Sequence, residues 1–331
     1  MGELLLYGSD LFGDSVKVEP VNTLSKRFEY PPFSVLNARE GYWQERKRAW
    51  ISQGIQSELG RDESITWKGN VKEFDYYRVK EGTRKPSNRS INTGDWVRSH
   101  NEIDGNCGNQ SGTSVFDPVL TELMYKWFCP SNGLILDPFA GGSVRGIVAG
   151  LLDYKYHGIE LSATQVEANQ MQKQDIAPDA DINWITGDSM QHLPDAPLSD
   201  FIFSCPPYGN LEVYSDNPAD LSTMQYAKFI EEYSKIIELA VKRLKPNRFA
   251  CFVIGEFRDK KTGNYQGFVP DTINAFRAAG MNFYNEIILI TATGSLPIRV
   301  TKQFQAGRKI GKTHQNILLF VKGHPKLGDV S

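Results

Sequence analysis

Between Phe116 and Lys322 the chain alternates short apolar runs with amphipathic stretches, and this alternation limits the fold more than any other feature of the sequence. GLILD, YKYHGIE, INWITGD, FIFS and FACFVIGEF are rich in strand formers. Between them, helices are expected from about Val144 to Leu152 and through Thr164 to Gln172, and Phe229, Ile230, Tyr233, Ile236, Ile237, Val241 and Leu244 recur at the spacing of a long amphipathic helix. Asp117-Pro118 opens a further helix carrying Leu120, Leu123, Met124, Trp127 and Phe128. Strands and helices in this order predict an α/β fold, doubly wound around a mostly parallel sheet. After a helix near Thr272 to Ala279, the last two strands, NEIILITA and NILLFVK, are expected to form an antiparallel edge hairpin.

At 331 residues and 40% hydrophobic content the chain can bury one full α/β core and still carry an appendage. The appendage is expected at the N-terminus. Residues 1–112 read as a loop-rich extension with one short helix around Tyr42 to Ile51, and 113–325 as the catalytic domain. Within the extension, Arg78, Lys80, Arg84, Lys85, Arg89 and Arg98 face only Glu81 and Asp95, with Tyr76, Tyr77 and Trp96 among them. A solvated surface is one reading of that run, and a nucleic-acid contact is the other. The net charge of -2 excludes a global polycation, so any attraction to nucleic acid has to be local. Cysteines 107, 129, 205 and 251 form no CxxC pair and no zinc spacing, which fits free thiols in a reducing compartment and predicts no metal site. MGELLLYGSD lacks a basic region followed by a long apolar core, and no apolar run reaches membrane-spanning length. A cytoplasmic protein with no membrane partner is expected.

One strand ends abruptly. In Phe201 to Tyr208, FIFSCPPY, three apolar residues suited to a buried parallel strand run into Pro206 and Pro207. Proline cannot donate to a ladder and forces extension on the residue before it, so the strand stops there. Cys205 and Tyr208 then project into a crevice, although a free cysteine is more often simply a small buried hydrophobe.

A second motif, DPFAGGSVRG from Asp137 to Gly146, follows a strand and opens a helix. Gly141 and Gly142 permit a tight turn and close approach of backbone to a ligand. Glu160 ends the next strand, where an acid can accept from both hydroxyls of a ribose, and Asp188 ends the third. An acid inside the turn would repel a pyrophosphate. It suits S-adenosylmethionine, which has no phosphate and carries a cationic amino group and a sulfonium.

Together these residues resemble the DNA methyltransferases of the exocyclic-amino type, whose signature pairs a DPFxGxGS-like turn with a [DNS]PP[YFW] tetrapeptide. The resemblance covers roughly Phe116 to Lys322 and implies a Rossmann-like methyltransferase sheet with S-adenosylmethionine as methyl donor. It also implies residue roles. Phe116 and Asp117 lie beside the methionine end, with Asp137, Pro138, Phe139, Ala140, Gly141 and Gly142 around it. Glu160 holds the ribose, Asp188 lies near the adenine, and Ser204 completes the cofactor side. The stretch RFEYPPFSVLNAREGYWQERKRAW resembles methylases of bacteriophages, which implies the cytoplasm of a bacterial host. The partner implied is duplex DNA with a flipped base stacked on Tyr208.

The residue before Pro206-Pro207 departs from this family. Asp, Asn or Ser there accepts from the target amine, whereas the sulfur of Cys205 is a weak acceptor. A thiol suits carbon-5 methylation of cytosine, which needs a thiolate to add at carbon-6. The cytosine-5 methyltransferases place a cysteine and then a glutamate after successive strands, and Cys205 and Glu256 match that order. Their usual Pro-Cys-Gln and Glu-Asn-Val tripeptides are absent. The reading taken is carbon-5 transfer, with Cys205 as covalent nucleophile and Glu256 holding the base. Amino methylation of cytosine or adenine, RNA methylation, and a non-catalytic binding protein are the alternatives. DNA contacts are expected from the N-terminal region and from the loops at 209–224 and 294–313. The second loop carries Arg299, Lys302, Arg308, Lys309 and Lys312 without an acid.

Overall fold

The structure, a computed structural model, describes residues 7–9, 15–17, 23–56, 116–208, 219–294 and 296–327. In chain order, the strands are β1 (Tyr7–Ser9), β2 (Ser15–Lys17), β3 (Val35–Asn37), β4 (Leu134–Asp137), β5 (Lys155–Glu160), β6 (Ile182–Thr186), β7 (Ser199–Ser204), β8 (Leu244–Ile254), β9 (Asn282–Ile290) and β10 (His314–Lys322). The helices are α1 (Thr23–Phe28), α2 (Gly41–Ile51), α3 (Pro118–Phe128), α4 (Val144–Leu151), α5 (Ala163–Ile176), α6 (Ser189–His192), α7 (Tyr226–Lys242), α8 (Phe268–Ala278) and α9 (Leu296–Gly307). β1 and β2 form a small antiparallel pair. The other strands make one sheet in the order β3-β9-β10-β8-β7-β4-β5-β6.

The sheet is wound outward from its middle. From β4 the chain moves through β5 to β6, then returns to place β7 on the other side of β4 and β8 beyond it, all parallel. The direction of winding therefore reverses between β4 and β7. The turns leaving their carboxyl ends diverge and open a crevice there. β10 runs antiparallel to both β8 and β9. The doubly wound, mostly parallel α/β sheet with an antiparallel final pair matches the expectation.

Local sequence accounts for these elements. β7 is buried at every position, with Phe201, Ile202 and Phe203 fully inaccessible, as a continuous apolar run in a central parallel strand requires. α7 packs Phe229, Tyr233, Ile236, Ile237, Ala240 and Val241 inward and keeps Lys228, Glu231 and Lys235 on its solvent face. Asp117 caps α3, accepting from the backbone N–H groups of Val119 and Leu120, with Pro118 in the first turn. In the core, Phe276 stacks on Phe320 at 3.9 Å, and Phe252 meets Phe276 edge-on.

Two expectations need correction. Met1–Gly60 and Phe116–Ser331 form one compact unit, and within it β3 adds a parallel strand to β9, so the hairpin is flanked rather than left as the edge. α2 docks on α3 through Trp43 and Trp50, both fully buried, and through Arg46, whose guanidinium grips the Glu122 carboxylate with two hydrogen bonds. Trp50 Nε1 donates to the same carboxylate at 2.8 Å. Burial alone would raise the Glu122 carboxyl, but Arg46 and Lys126 hold it below the usual carboxylate range. A three-residue strand is too short to show periodicity, which is why SVLNA reads as loop. The second correction is that 294–313 is not simply a loop, because α9 occupies most of it. The basic run Arg78 to Arg98 and residues 209–218 of the loop after Tyr208 lie outside the described residues.

Candidate active site

The turn after β4 is built around a buried charge. Asp137 is fully inaccessible. Its Oδ2 accepts from Arg145 Nε at 2.6 Å and from the Tyr156 hydroxyl at 2.7 Å. Its Oδ1 accepts from the Ser204 hydroxyl at 2.5 Å and from the Phe139 N–H at 3.1 Å. Arg145 also donates to the carbonyls of Phe139 and Ala140, and its guanidinium lies 4.6 Å from the centre of the Phe116 ring. The acid expected to attract a cationic ligand is thus neutralised from within. Asp137 and Arg145 form a rivet under the turn. Ser204, expected on the cofactor side, is fully buried with its hydroxyl held on Asp137. Asp117 is likewise occupied, capping α3 and accepting from Trp43 Nε1 and Lys47 Nζ.

The other predicted cofactor residues line a concave edge. Pro138 and Ala140 are buried, whereas Phe116, Phe139, Gly141 and Gly142 are partly exposed. Gly141 has φ +53°, and a Cβ there would meet nothing within 4 Å, so open space lies above the turn. Its N–H donates to Glu160 Oε2 at 2.8 Å, and its carbonyl accepts from Asn169 Nδ2 at 2.8 Å. Glu160 Oε1 accepts from the Ser162 N–H at 2.9 Å. Burial pushes the Glu160 carboxyl above the usual range, opposed by those two backbone donors. Each oxygen keeps acceptor capacity beyond its single backbone donor. Asp188 caps α6 by accepting from the Met190 N–H at 2.9 Å. With Met190, Leu221, Met224 and Ile236 it lines a cavity of about 270 Å³ that also takes in Lys228 and Glu232.

Across the reversal point, β7 delivers Cys205, Pro206, Pro207 and Tyr208. Pro206 is buried; the other three are partly exposed. The Cys205 sulfur lies 3.7 Å from the Tyr208 hydroxyl, which accepts from Gln315 Nε2 at 2.9 Å. The Tyr208 ring meets Phe268 edge-on at 6.3 Å. Gln315, on β10, carried no sequence signal, because a lone glutamine near a strand start is unremarkable. Arg145 and Tyr156 were missed for a similar reason: buried polar partners are indistinguishable from solvated ones in a sequence.

Glu256 faces elsewhere than expected. Its Oε1 accepts from the backbone N–H groups of Phe257, Gly267 and Phe268, and its Oε2 from that of Val269. Gly267 occupies the cap position of α8 and has no side chain with which to cap it, so Glu256 supplies the acceptor from β8. Glu256, expected to hold a base, thus has its carboxylate on the N-terminal end of α8.

The basic residues of 294–313 separate into two sets. Arg299, Lys302, Arg308 and Lys309 are exposed on or just after α9, with the Arg308 guanidinium 5.3 Å from the Phe304 ring centre. Lys312 is half-buried beside the crevice and donates to Asn316 Oδ1 at 3.2 Å.

No family model and no curated protein matches the sequence. Among solved structures, the chain resembles TrmN from Thermus thermophilus, with 12% identity and a TM-score of 0.43 over 62% of this chain and 49% of that one, so it spans about half of that protein's length. A methyltransferase from Pyrococcus furiosus gives 15% identity and a TM-score of 0.42 over 69% of this chain and 96% of that one. Magnesium protoporphyrin IX methyltransferase from Synechocystis gives 13% identity and a TM-score of 0.40 over 77% and 93%. Similarity this weak carries no argument about substrate or activity.

Proposed function

We propose that this chain is an S-adenosylmethionine-dependent methyltransferase that acts on a base swung out of DNA, with carbon-5 of cytosine as the favoured target. The observation that supports it most is the pairing across the reversal point: an open turn braced by Glu160 on one side, Cys205 and Tyr208 on the other. The cofactor fits the near side. Open space above Gly141 admits the methionine end, the unused acceptor capacity of Glu160 suits ribose hydroxyls, and the cavity beside Asp188 and Met190 suits the adenine. Bound there, S-adenosylmethionine supplies an electrophilic methyl group. Asp137 takes no direct part and holds the turn in shape.

On the far side Tyr208 stacks on the base and Cys205 attacks carbon-6 as thiolate. The displaced electron pair makes carbon-5 nucleophilic, and after methylation the carbon-5 proton departs as the thiolate is expelled. Arg299, Lys302, Arg308 and Lys309 face the phosphates of the same strand. One observation favours a second reading, amino methylation: Glu256, the expected partner of a carbon-5 mechanism, is occupied at the end of α8. The Pro206 carbonyl would then accept from the target amine.

The test is to incubate the protein with labelled S-adenosylmethionine and duplex DNA, single-stranded DNA or RNA, and to identify the labelled nucleoside by mass spectrometry. Label in 5-methylcytosine from DNA is the expected result. Label in N4-methylcytosine or N6-methyladenine selects the second reading; label only from RNA changes the substrate; label nowhere overturns the proposal.

A further inference from the structure

We infer that Lys312 belongs to the base pocket, where its ammonium donates to a ring acceptor of the flipped base, and not to the phosphate-facing set on α9. This rests on the reading of the chain as a base methyltransferase. It reassigns a residue that the sequence groups with four phosphate contacts, and it supplies the polar partner that Glu256 does not.

The geometry begins at Gly255, the residue after β8. A Cβ placed there would lie 3.5 Å from Tyr208 Cε2, 3.8 Å from Tyr208 Cζ and 3.9 Å from Lys312 Nζ. The tyrosine ring and the ammonium therefore flank one small slot floored by the glycine. Tyr208 is the residue assigned to stack on the base, and Lys312 shares with it the space over Gly255, which places the ammonium toward the base's edge.

The way Lys312 is held points to the same role. Asn316 Oδ1 accepts from Nζ at 3.2 Å, and Asn316 Nδ2 donates to Glu286 Oε1 at 2.9 Å, so a neutral amide, itself fixed by a carboxylate, orients the cation. Gln315, the residue before Asn316, fixes the Tyr208 hydroxyl at 2.9 Å. The start of β10 thus positions both walls of the slot. Burial also lowers the affinity of Lys312 for its proton below that of an ordinary lysine, with Glu256 opposing the shift, as expected for an ammonium turned in from solvent. A lysine on a phosphate surface keeps three donors in water; this one has given up part of its hydration and retains donors beyond the one used on Asn316. Facing N3 or O2 of a cytosine, it would stabilise the negative charge that develops when a thiolate adds to carbon-6.

The experiment compares Lys312→Met and Lys312→Arg with the Arg308→Ala/Lys309→Ala double variant, measuring two quantities for each. One is the salt dependence of DNA binding; the other is the single-turnover rate of methyl transfer. The expected result for Lys312→Met is a rate lowered by roughly 10²–10³-fold, as for loss of one charge-stabilising donor, with the salt slope unchanged. Lys312→Arg should recover part of the rate. Gly255→Ala, which meets no atom closer than 3.5 Å and so should fold, is expected to slow transfer by filling the slot. An unchanged rate in Lys312→Met, or a salt slope shallower by about 0.9 as for one lost phosphate contact, overturns the inference while leaving the methyltransferase reading intact. A wild-type protein that methylates no nucleic acid overturns both.

Discussion

Two corners of the sheet, the β4–β5 corner and the β8–β10 corner, use charge in opposite ways. At the first, Asp137 and Arg145 are both buried and satisfy each other, Tyr156, Ser204 and the Phe139 N–H fill the remaining acceptor positions of the carboxylate, and none is left to meet a ligand. At the second, Lys312 is only half-buried and rests on an amide, near Gly255 and the partly exposed Tyr208. A neutralised charge sets shape, whereas a charge held by a neutral group beside open space is available for chemistry. Glu256 shows that the rule concerns environment and not position, since it follows β8 at the second corner yet is held by four backbone donors.

Substitutions can sharpen this contrast. The largest effect is expected from Cys205→Ala, which should reduce carbon-5 transfer to background while cofactor affinity, measured by calorimetry, is kept. Normal 5-methylcytosine from that variant would remove Cys205 as nucleophile. Asp137→Ala should act on the fold instead, because it leaves Arg145 buried and unpaired; a loss of about 3–5 kcal/mol in denaturant unfolding is expected. Unaltered stability would mean that the β4–β5 corner is not sealed in the way described.

Neutralising Arg308 and Lys309 together should weaken DNA binding and make its salt slope shallower by about 1.8, close to 0.9 for each contact. A slope that stays put takes α9 out of the interface. Cofactor affinity should also depend on pH through Glu160. Its folded pKa is raised, so its protonated form favours the folded state below the ordinary glutamate range, and that stability is lost as pH rises through the raised value. Ribose hydroxyls donate to the ionised form, so affinity should fall as pH drops through the same raised value. Glu160→Gln should bind less tightly and lose this dependence. The smallest effect is expected from Glu256→Ala, a loss of about 0.5–2 kcal/mol from an uncapped α8. A collapse of the transfer rate in Glu256→Gln, with stability kept, would return the residue to the base.

How legible the molecule was depends on what sequence can encode locally. β7 and α7 were readable because burial repeats along each element: a solid apolar run in one, a stripe at helical spacing in the other. The two prolines after Cys205 and the glycines after Phe139 were readable because they alter the backbone itself. What remained hidden was pairing across distance. Nothing adjacent to Asp137 says that Arg145 and Tyr156 will neutralise it, and nothing near Glu256 says that a glycine-capped helix will need its carboxylate. α9 was hidden for another reason. No residue of α9 is fully buried, so burial prints no stripe along it, and Gly294 and Pro297 resemble the punctuation of a loop.

The pairing of β3 with β9 joins a strand near the start of the chain to one near its end. During synthesis Val35–Asn37 emerges long before β9 exists, so the outer flank of the sheet is completed late and at high contact order. α2 has an earlier partner, because Trp43, Arg46 and Trp50 dock on α3, which follows much sooner. That docking keeps the leading segment near the growing sheet until the last strands arrive. A chain that lost this segment would expose β9 as an unpaired edge open to other copies.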